Sequence, residues 1–182
     1  RPNTCTAILG ETGAGKTTMV RLILALIQPT SGHVYIYNKE REQDISPLTR
    51  CNLIYVPQGN TLLSGTIRDN LRMGRFDATD EEMMQALDKA CAGFVRDIPG
   101  GLDASCSEAG GGLSEGQAQR ISIARALLRE GSVMIFDEAT SALDPETERQ
   151  LLANLLQERR QTIIFITHRP AVVDYCDQVL RI

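Results

Sequence analysis

The chain has 182 residues, 42% hydrophobic and 23% charged, a globular composition that excludes disorder, collagen and coiled-coil architectures. Its longest aliphatic run, residues 22–27, is far too short to span a bilayer, and the net charge of −4 disfavours general nucleic-acid binding. Cys5, Cys51, Cys91, Cys106 and Cys176 are odd in number and lack C-x-x-C spacing, so they read as reduced cytosolic thiols, not as a disulfide framework or zinc site.

No signal peptide is visible, because Arg1-Pro2-Asn3-Thr4 leads straight into a short apolar strand, Cys5–Leu9. A buried strand that close to the first residue is expected of a piece cut from a longer polypeptide. A loop at Gly10–Gly15 follows, then a helix predicted over Lys16–Ile27 from the spacing of Val20, Ile23, Leu24 and Ile27. Short strands are predicted at His33–Tyr37 and Leu53–Val56. The texture then changes. Thr66–Met73 and Thr79–Ala90 read as helices, the second with capping-box spacing between Thr79 and Glu82. Ser114 and Gln117 repeat that spacing at the start of a long helix to about Arg129, and no convincing buried strand separates these helices. Val133–Phe136 is apolar at every position, as in a strand buried on both faces of a parallel sheet. Asp144-Pro145 opens another helix, and Thr162–Ile166 and Gln178–Ile182 read as strands. Strands alternating with helices predict an α/β parallel sheet with a helical lobe inserted between its early and late strands.

Two constellations carry chemistry. Gly10-Glu11-Thr12-Gly13-Ala14-Gly15-Lys16-Thr17 fits G-x-x-x-x-G-K-[ST] in full, between a strand and a helix. Glycines let successive backbone N–H groups turn in around phosphate oxygens, and the helix N-terminus adds positive potential. Lys16 would reach the β- and γ-phosphates, and the Thr17 hydroxyl would ligate Mg²⁺; Thr18 completes the candidate ATP-binding set. Asp137 and Glu138 end the apolar strand, where side chains of open α/β sheets meet their ligands. Asp137 is placed to hold Mg²⁺ through a water and Glu138 to polarise a water that attacks the γ-phosphate. Alone, two acids at a strand end could equally be solvated loop residues.

The phosphate loop, Tyr55-Val56-Pro57-Gln58, Leu113-Ser114-Glu115-Gly116-Gln117, Phe136-Asp137-Glu138-Ala139-Thr140-Ser141-Ala142-Leu143-Asp144 and Ile166-Thr167-His168-Arg169 occur in that order. Together they resemble the ATP-binding cassette of ABC transporters over nearly the whole chain. The resemblance implies a P-loop NTPase core, a RecA-like parallel sheet, at about residues 1–58 and 128–182, with a helical subdomain at about 59–127. It implies ATP and Mg²⁺ as cofactors. Gln58 corresponds to the lid glutamine that contacts Mg²⁺ or the attacking water, and His168 to the switch histidine on the γ-phosphate. Ser114, Gly116 and Gln117 correspond to the signature that binds ATP held by a second cassette, and Asp144 to the loop crossing the dimer interface. As an N-cap before Pro145, Asp144 also has a complete structural explanation.

Residues 61–70 are similar to the segment after the lid glutamine in ABC exporters. The family's membrane-domain contact is expected there and near Ser107–Gly112. The partners so implied are a second cassette, as homo- or heterodimer, and transmembrane domains, with no nucleic acid and no membrane span in this chain. The implied location is the cytoplasmic side of the membrane. There are departures: Glu115 replaces the commoner Gly, and Glu108-Ala109-Gly110 lacks the Arg that often follows the Glu. The family's N-terminal β-strands and adenine-stacking aromatic are expected to be missing from this chain, and Tyr35 and Tyr37 cannot replace that aromatic by order. The functional expectation is an ATPase that powers export through ATP-driven pairing of two cassettes. The alternatives are a non-transport ABC ATPase and a degenerate cassette that binds ATP without turnover. Against the chromosome-type alternative, Lys16 and Ser114 are only 98 positions apart, with no heptads between.

Overall fold

The computed structural model describes residues 1–11, 13–38, 40–106, 112–157 and 161–182. Its main sheet has five strands: β1 (Cys5–Leu9), β4 (Leu53–Val56), β7 (Val133–Asp137), β8 (Thr162–Thr167) and β9 (Gln178–Arg181), in the order β4-β7-β8-β1-β9. β1 runs parallel to both β8 and β9, with Leu9 opposite Thr167 and Arg181. Four of these strands are short, largely apolar runs, and their buried members Ala7, Ile54, Met134, Ile135, Phe136 and Phe165 supply the sheet's core, whereas β9 is mostly exposed.

The chain divides into two compact units. One comprises Arg1–Ile54, Gly131–Ile135 and Arg160–Ile182. It contains β1, β8, β9, helix α1 (Lys16–Ile23) and an antiparallel pair, β2 (Tyr35–Tyr37) with β3 (Glu42–Asp44). The helix predicted to reach Ile27 ends four residues earlier. Leu24 is its C-cap, Ala25 has φ 51°, and the Arg50 guanidinium donates to the carbonyls of Leu24 and Ala25, both at 2.7 Å. A distant arginine satisfies the helix's terminal carbonyls, so the aliphatic pattern of Leu26 and Ile27 does not continue it.

The other unit comprises Tyr55–Glu130 and Phe136–Arg159. It holds α2 (Ile67–Arg72), α3 (Asp80–Lys89), α4 (Glu115–Leu127) and α5 (Pro145–Leu156). Thr66, Thr79 and Ser114 form the capping boxes that open α2, α3 and α4. Besides the last residues of β4 and β7, the strand content here is one two-residue antiparallel pair, β5 (Gly65–Thr66) with β6 (Ser105–Cys106), among the described residues. α4 is the centre of this unit: Ala118, Gln119, Ile121, Ser122, Ile123, Ala124 and Ala126 are all buried. Arg120 leaves it to donate to the Cys91 carbonyl and to stack its guanidinium 4.8 Å from the Phe94 ring centroid. The segment after β7 packs on the same helix. A Cβ on Gly116 would stand 2.8 Å from the Ala142 carbonyl oxygen, and the Ala142 N–H donates to Gln119 Oε1 at 3.2 Å. No helix among the described residues is long and apolar enough to cross a membrane.

Candidate nucleotide site

The first unit carries the glycine loop and the histidine. Because Leu9 pairs with Thr167, Gly10 and His168 each stand one residue beyond a matched position on neighbouring parallel strands. Both loops therefore leave the sheet at the carboxyl ends of its strands, where ligands of open α/β sheets lie. Gly10 is fixed by close packing, since a Cβ there would meet the Ile182 carbonyl oxygen at 2.9 Å. Gly13 and Gly15 take the left-handed φ values 90° and 99° that turn the chain into α1. Glu11, Gly13, Ala14, Gly15, Thr17 and Thr18 are exposed, and Thr12 lies outside the described residues. The half-buried Lys16 folds its ammonium back over the loop, donating to the carbonyls of Gly10 at 2.7 Å and Glu11 at 2.9 Å. His168 is exposed, and the turn it sits in is held by the Arg169 N–H donating to Thr167 Oγ1 at 3.0 Å.

The N-terminus of α1 has no side-chain cap and no acid in its first turn, because Gly15 has nothing to cap with. The other described α-helices all start differently. Side chains of Thr66, Thr79, Ser114 and Asp144 accept first-turn N–H groups, and each of those first turns contains an acid. The amides opening α1 are thus left for an anion, with no carboxylate competing for them.

The second unit carries the acids and the glutamine. Asp137 ends β7 half-buried, its Oδ2 accepting a hydrogen bond from the Tyr55 hydroxyl at 2.9 Å. Glu138 follows at φ 49°, an unusual left-handed conformation for a non-glycine residue. The Ser141 N–H, donating to the Glu138 carbonyl at 3.1 Å, closes the turn that holds it there. Gln58 is exposed and donates through Nε2 to Glu138 Oε2 at 3.2 Å, so two residues 80 positions apart meet. Ser114 and Gln117 bond each other across the first turn of α4, and the Glu115 side chain beside them is exposed. Asp144 accepts from the N–H groups of Glu146 at 3.1 Å and Thr147 at 3.0 Å. Hydrogen bonds from Thr147 hold its carboxyl below the usual range.

Three contributors escape sequence reasoning. Tyr55 fixes the Asp137 carboxylate. Gln119 holds the segment after Glu138, and its signal is a polar residue among apolar neighbours on a buried helix face. Arg125, whose basicity burial lowers, clamps the segment after Gln58 by donating to the Thr61 carbonyl at 3.0 Å and to Thr61 Oγ1 at 2.6 Å. In the exporter-like stretch, Leu62 is core while Leu63 is 53% exposed. Residues 107–111, the other expected membrane-domain contact, lie outside the described residues.

An α/β sheet with a glycine-rich phosphate loop at the end of its first strand defines the class of P-loop nucleotide-binding domains. The family model described as "ABC transporter" matches residues 1–141, and the chain belongs to that family. It is 38% identical over 180 residues to the mitochondrial iron-sulfur clusters transporter ATM1 of Saccharomyces cerevisiae, covering 96% of this chain and 26% of that protein. It is 41% identical over 181 residues to the β-(1→2)glucan export ATP-binding/permease protein NdvA of Agrobacterium vitis, covering 96% of this chain and 30% of that protein. A solved bacterial Atm1-family ABC exporter with ATP bound superposes with a TM-score of 0.89 at 34% identity, covering all of this chain and 32% of the other. The chain thus spans about a third or less of these relatives.

Proposed function

We propose that the chain is the ATP-binding and ATP-hydrolysing domain of an exporter, driving transport through ATP-dependent pairing of two cassettes on the cytoplasmic side of a membrane. The observation that carries this reading is the open, acid-free start of α1 behind the glycine loop. Lys16 would leave the carbonyls of Gly10 and Glu11 for the β- and γ-phosphates, and residues 10–18 would wrap the phosphate chain. The Thr17 hydroxyl, the Gln58 amide oxygen and the Asp137 carboxylate are hard oxygen donors that suit Mg²⁺, which takes few protein ligands beside phosphates and water. These residues would hold Mg²⁺, whose charge would offset that developing on the phosphoryl oxygens.

Glu138 is the group that draws the proton of the attacking water. Its raised turn and its bond from Gln58 fix the carboxylate's direction, and His168 would donate to the γ-phosphate. Ser114, Gly116 and Gln117 would serve the ATP of a second cassette, with Asp144 at the junction. The exposed Leu63 and the exporter-like sequence around it support contact with transmembrane domains there.

In the full-length protein, Glu138→Gln should keep ATP bound while turnover falls by about 10²–10⁴-fold, the usual scale of general-base catalysis. Ser114→Arg should stop pairing while leaving ATP binding to the single cassette intact. A mixture of the two variants should regain turnover, because one composite site then has both an intact Glu138 and an intact Ser114. Unchanged turnover in Glu138→Gln, or full activity from a cassette that stays unpaired, would overturn the reading.

A further inference from the structure

Cys5 and Cys176 lie at the opposite end of β1 from the phosphate loop, and nothing in nucleotide chemistry uses them. Both are thiols, and their Sγ atoms are 2.8 Å apart. Cys5 is 1% exposed in the first position of β1, and Cys176 is half-buried just before β9. The backbone locks this meeting in place. The Asp177 N–H donates to the Cys5 carbonyl at 2.9 Å, and the Cys5 N–H donates to Asp177 Oδ2 at 2.8 Å. One residue further on, Thr6 pairs with Gln178 in the parallel ladder. The sheet therefore fixes the main chains of the two cysteines beside each other. Closing a bond of ordinary length asks them to approach by roughly three-quarters of an ångström. Cys51, by contrast, is exposed and turns its thiol to the Leu48 carbonyl at 3.3 Å.

We propose that Cys5 and Cys176 form a thiol–disulfide exchange site that accepts a small-molecule disulfide such as glutathione disulfide and closes to an intrachain disulfide. Cys176, the more accessible of the two, is the attacking sulfur. The hydrogen bond with Cys5 lowers its thiol pKa, against the opposing effects of burial and the Asp177 carboxylate. Its thiolate attacks one sulfur of the small disulfide, breaks that S–S bond and expels one thiolate. Cys5, deprotonated, then attacks the Cys176 sulfur of the mixed disulfide and expels the second thiolate. Both protein protons end on the two released thiols, and two electrons pass from the protein to the small disulfide. The product fastens β9, which among the described residues is an edge strand bonded to β1 alone, to the first residue of its neighbour.

The test is to equilibrate the full-length protein in glutathione buffers of increasing oxidised fraction, quench with acid and map tryptic peptides without reduction. The peptides ending at Lys16 and Arg181 should be replaced by one joined species, two hydrogens lighter than their sum and restored by dithiothreitol. Hydrogen exchange of the Gln178–Arg181 amides should slow in the oxidised form. Cys176→Ser should lose both effects, and Cys5→Ala should stop at Cys176 carrying glutathione. If the joined species never forms while Cys51 takes up glutathione, or forms only in denaturant, the proposal fails. It also fails if wild-type Cys176 retains glutathione without resolving it.

Discussion

Two helices of this chain start from glycine-flanked loops, and they start in opposite ways. α1 follows Gly15, whose left-handed backbone offers no side-chain cap, and its first turn has no acid. α4 follows Ser114, which accepts from the Gln117 N–H at 3.2 Å, while Gln117 Oε1 accepts from the Ser114 N–H at 2.9 Å. Glu115 sits in that first turn. A helix start carries several unmet N–H groups, and the chain either assigns them to its own side chains or leaves them to a ligand. α1 has no side-chain cap, and phosphate there would displace the Lys16 contacts with the loop carbonyls. α4 caps its Gln117 N–H with its own Ser114, so a second cassette's phosphate would meet an existing cap there. Under the proposed function, α1 binds ATP in a single cassette, whereas α4 contributes only when a partner presents ATP.

The largest effect expected from this contrast is on affinity. Lys16→Ala removes a charged donor from the phosphate chain, a loss of about 1.5–3 kcal/mol, or roughly 10- to 150-fold in ATP affinity. Ser114→Ala should leave the affinity of an unpaired cassette within about twofold, since that affinity follows from α1 alone. Calorimetric titration of both variants decides it. Equal losses would mean that the two helix starts serve the same nucleotide.

Stability gives a sharper form of the contrast. In an ordinary helix Ser is a better N-cap than Ala by about 1 kcal/mol, so Ser114→Ala should lower the melting temperature by roughly 2–4 °C. By the same rule Gly15→Ser would be a gain. Here it should be a loss, because φ 99° is a conformation that costs L-residues about 1–2 kcal/mol. Thermal unfolding of both variants should therefore shift downward, with weaker phosphate binding only for Gly15→Ser. A stabilised Gly15→Ser protein would show that the left-handed start of α1 is not required.

Most of this contrast is legible in the amino-acid sequence, and the exceptions share one cause. The capping boxes of α3 and α4 follow from local spacing, Thr79 with Glu82 and Ser114 with Gln117, and the buried strands follow from unbroken apolar runs. The turns at Gly13 and Gly15 are legible because they act through their own backbone, whereas the packing of Gly10 against Ile182 is not. The end of α1 is not legible, because Arg50 satisfies its carbonyls from 25 positions away and Ala25 then turns left-handed. β3 is equally hidden: Glu42-Gln43-Asp44 is exposed and polar, and only its partner β2 makes it a strand. The Gln58–Glu138 and Tyr55–Asp137 bonds span 80 and 82 positions, so the sequence presents the side chains but not their meeting.

The smallest effect comes from adding α5 to the comparison, because its cap is titratable and that of α4 is not. Asp144 accepts the first-turn N–H groups of α5, and hydrogen bonds from Thr147 hold its carboxyl below the ordinary value. A carboxyl whose folded pKa lies below its unfolded value stabilises the fold fully above the unfolded value, about 3.9. That contribution disappears as pH falls through the lower, folded value. Asn is an equally good N-cap without a proton to gain. The melting temperature of wild type should therefore equal or exceed that of Asp144→Asn near neutral pH, where the carboxylate also favours the positive helix end. The difference should shrink and then reverse below about pH 4 as the wild-type carboxyl takes up its proton and loses acceptor strength. The effect should be small because Asp144 is exposed and water competes for it. Paired melting curves from pH 7 to pH 3 measure it, with Ser114→Ala as the control whose deficit stays constant. A wild-type-to-Asn difference that is flat over the whole range would mean that the carboxylate charge has no part in holding α5.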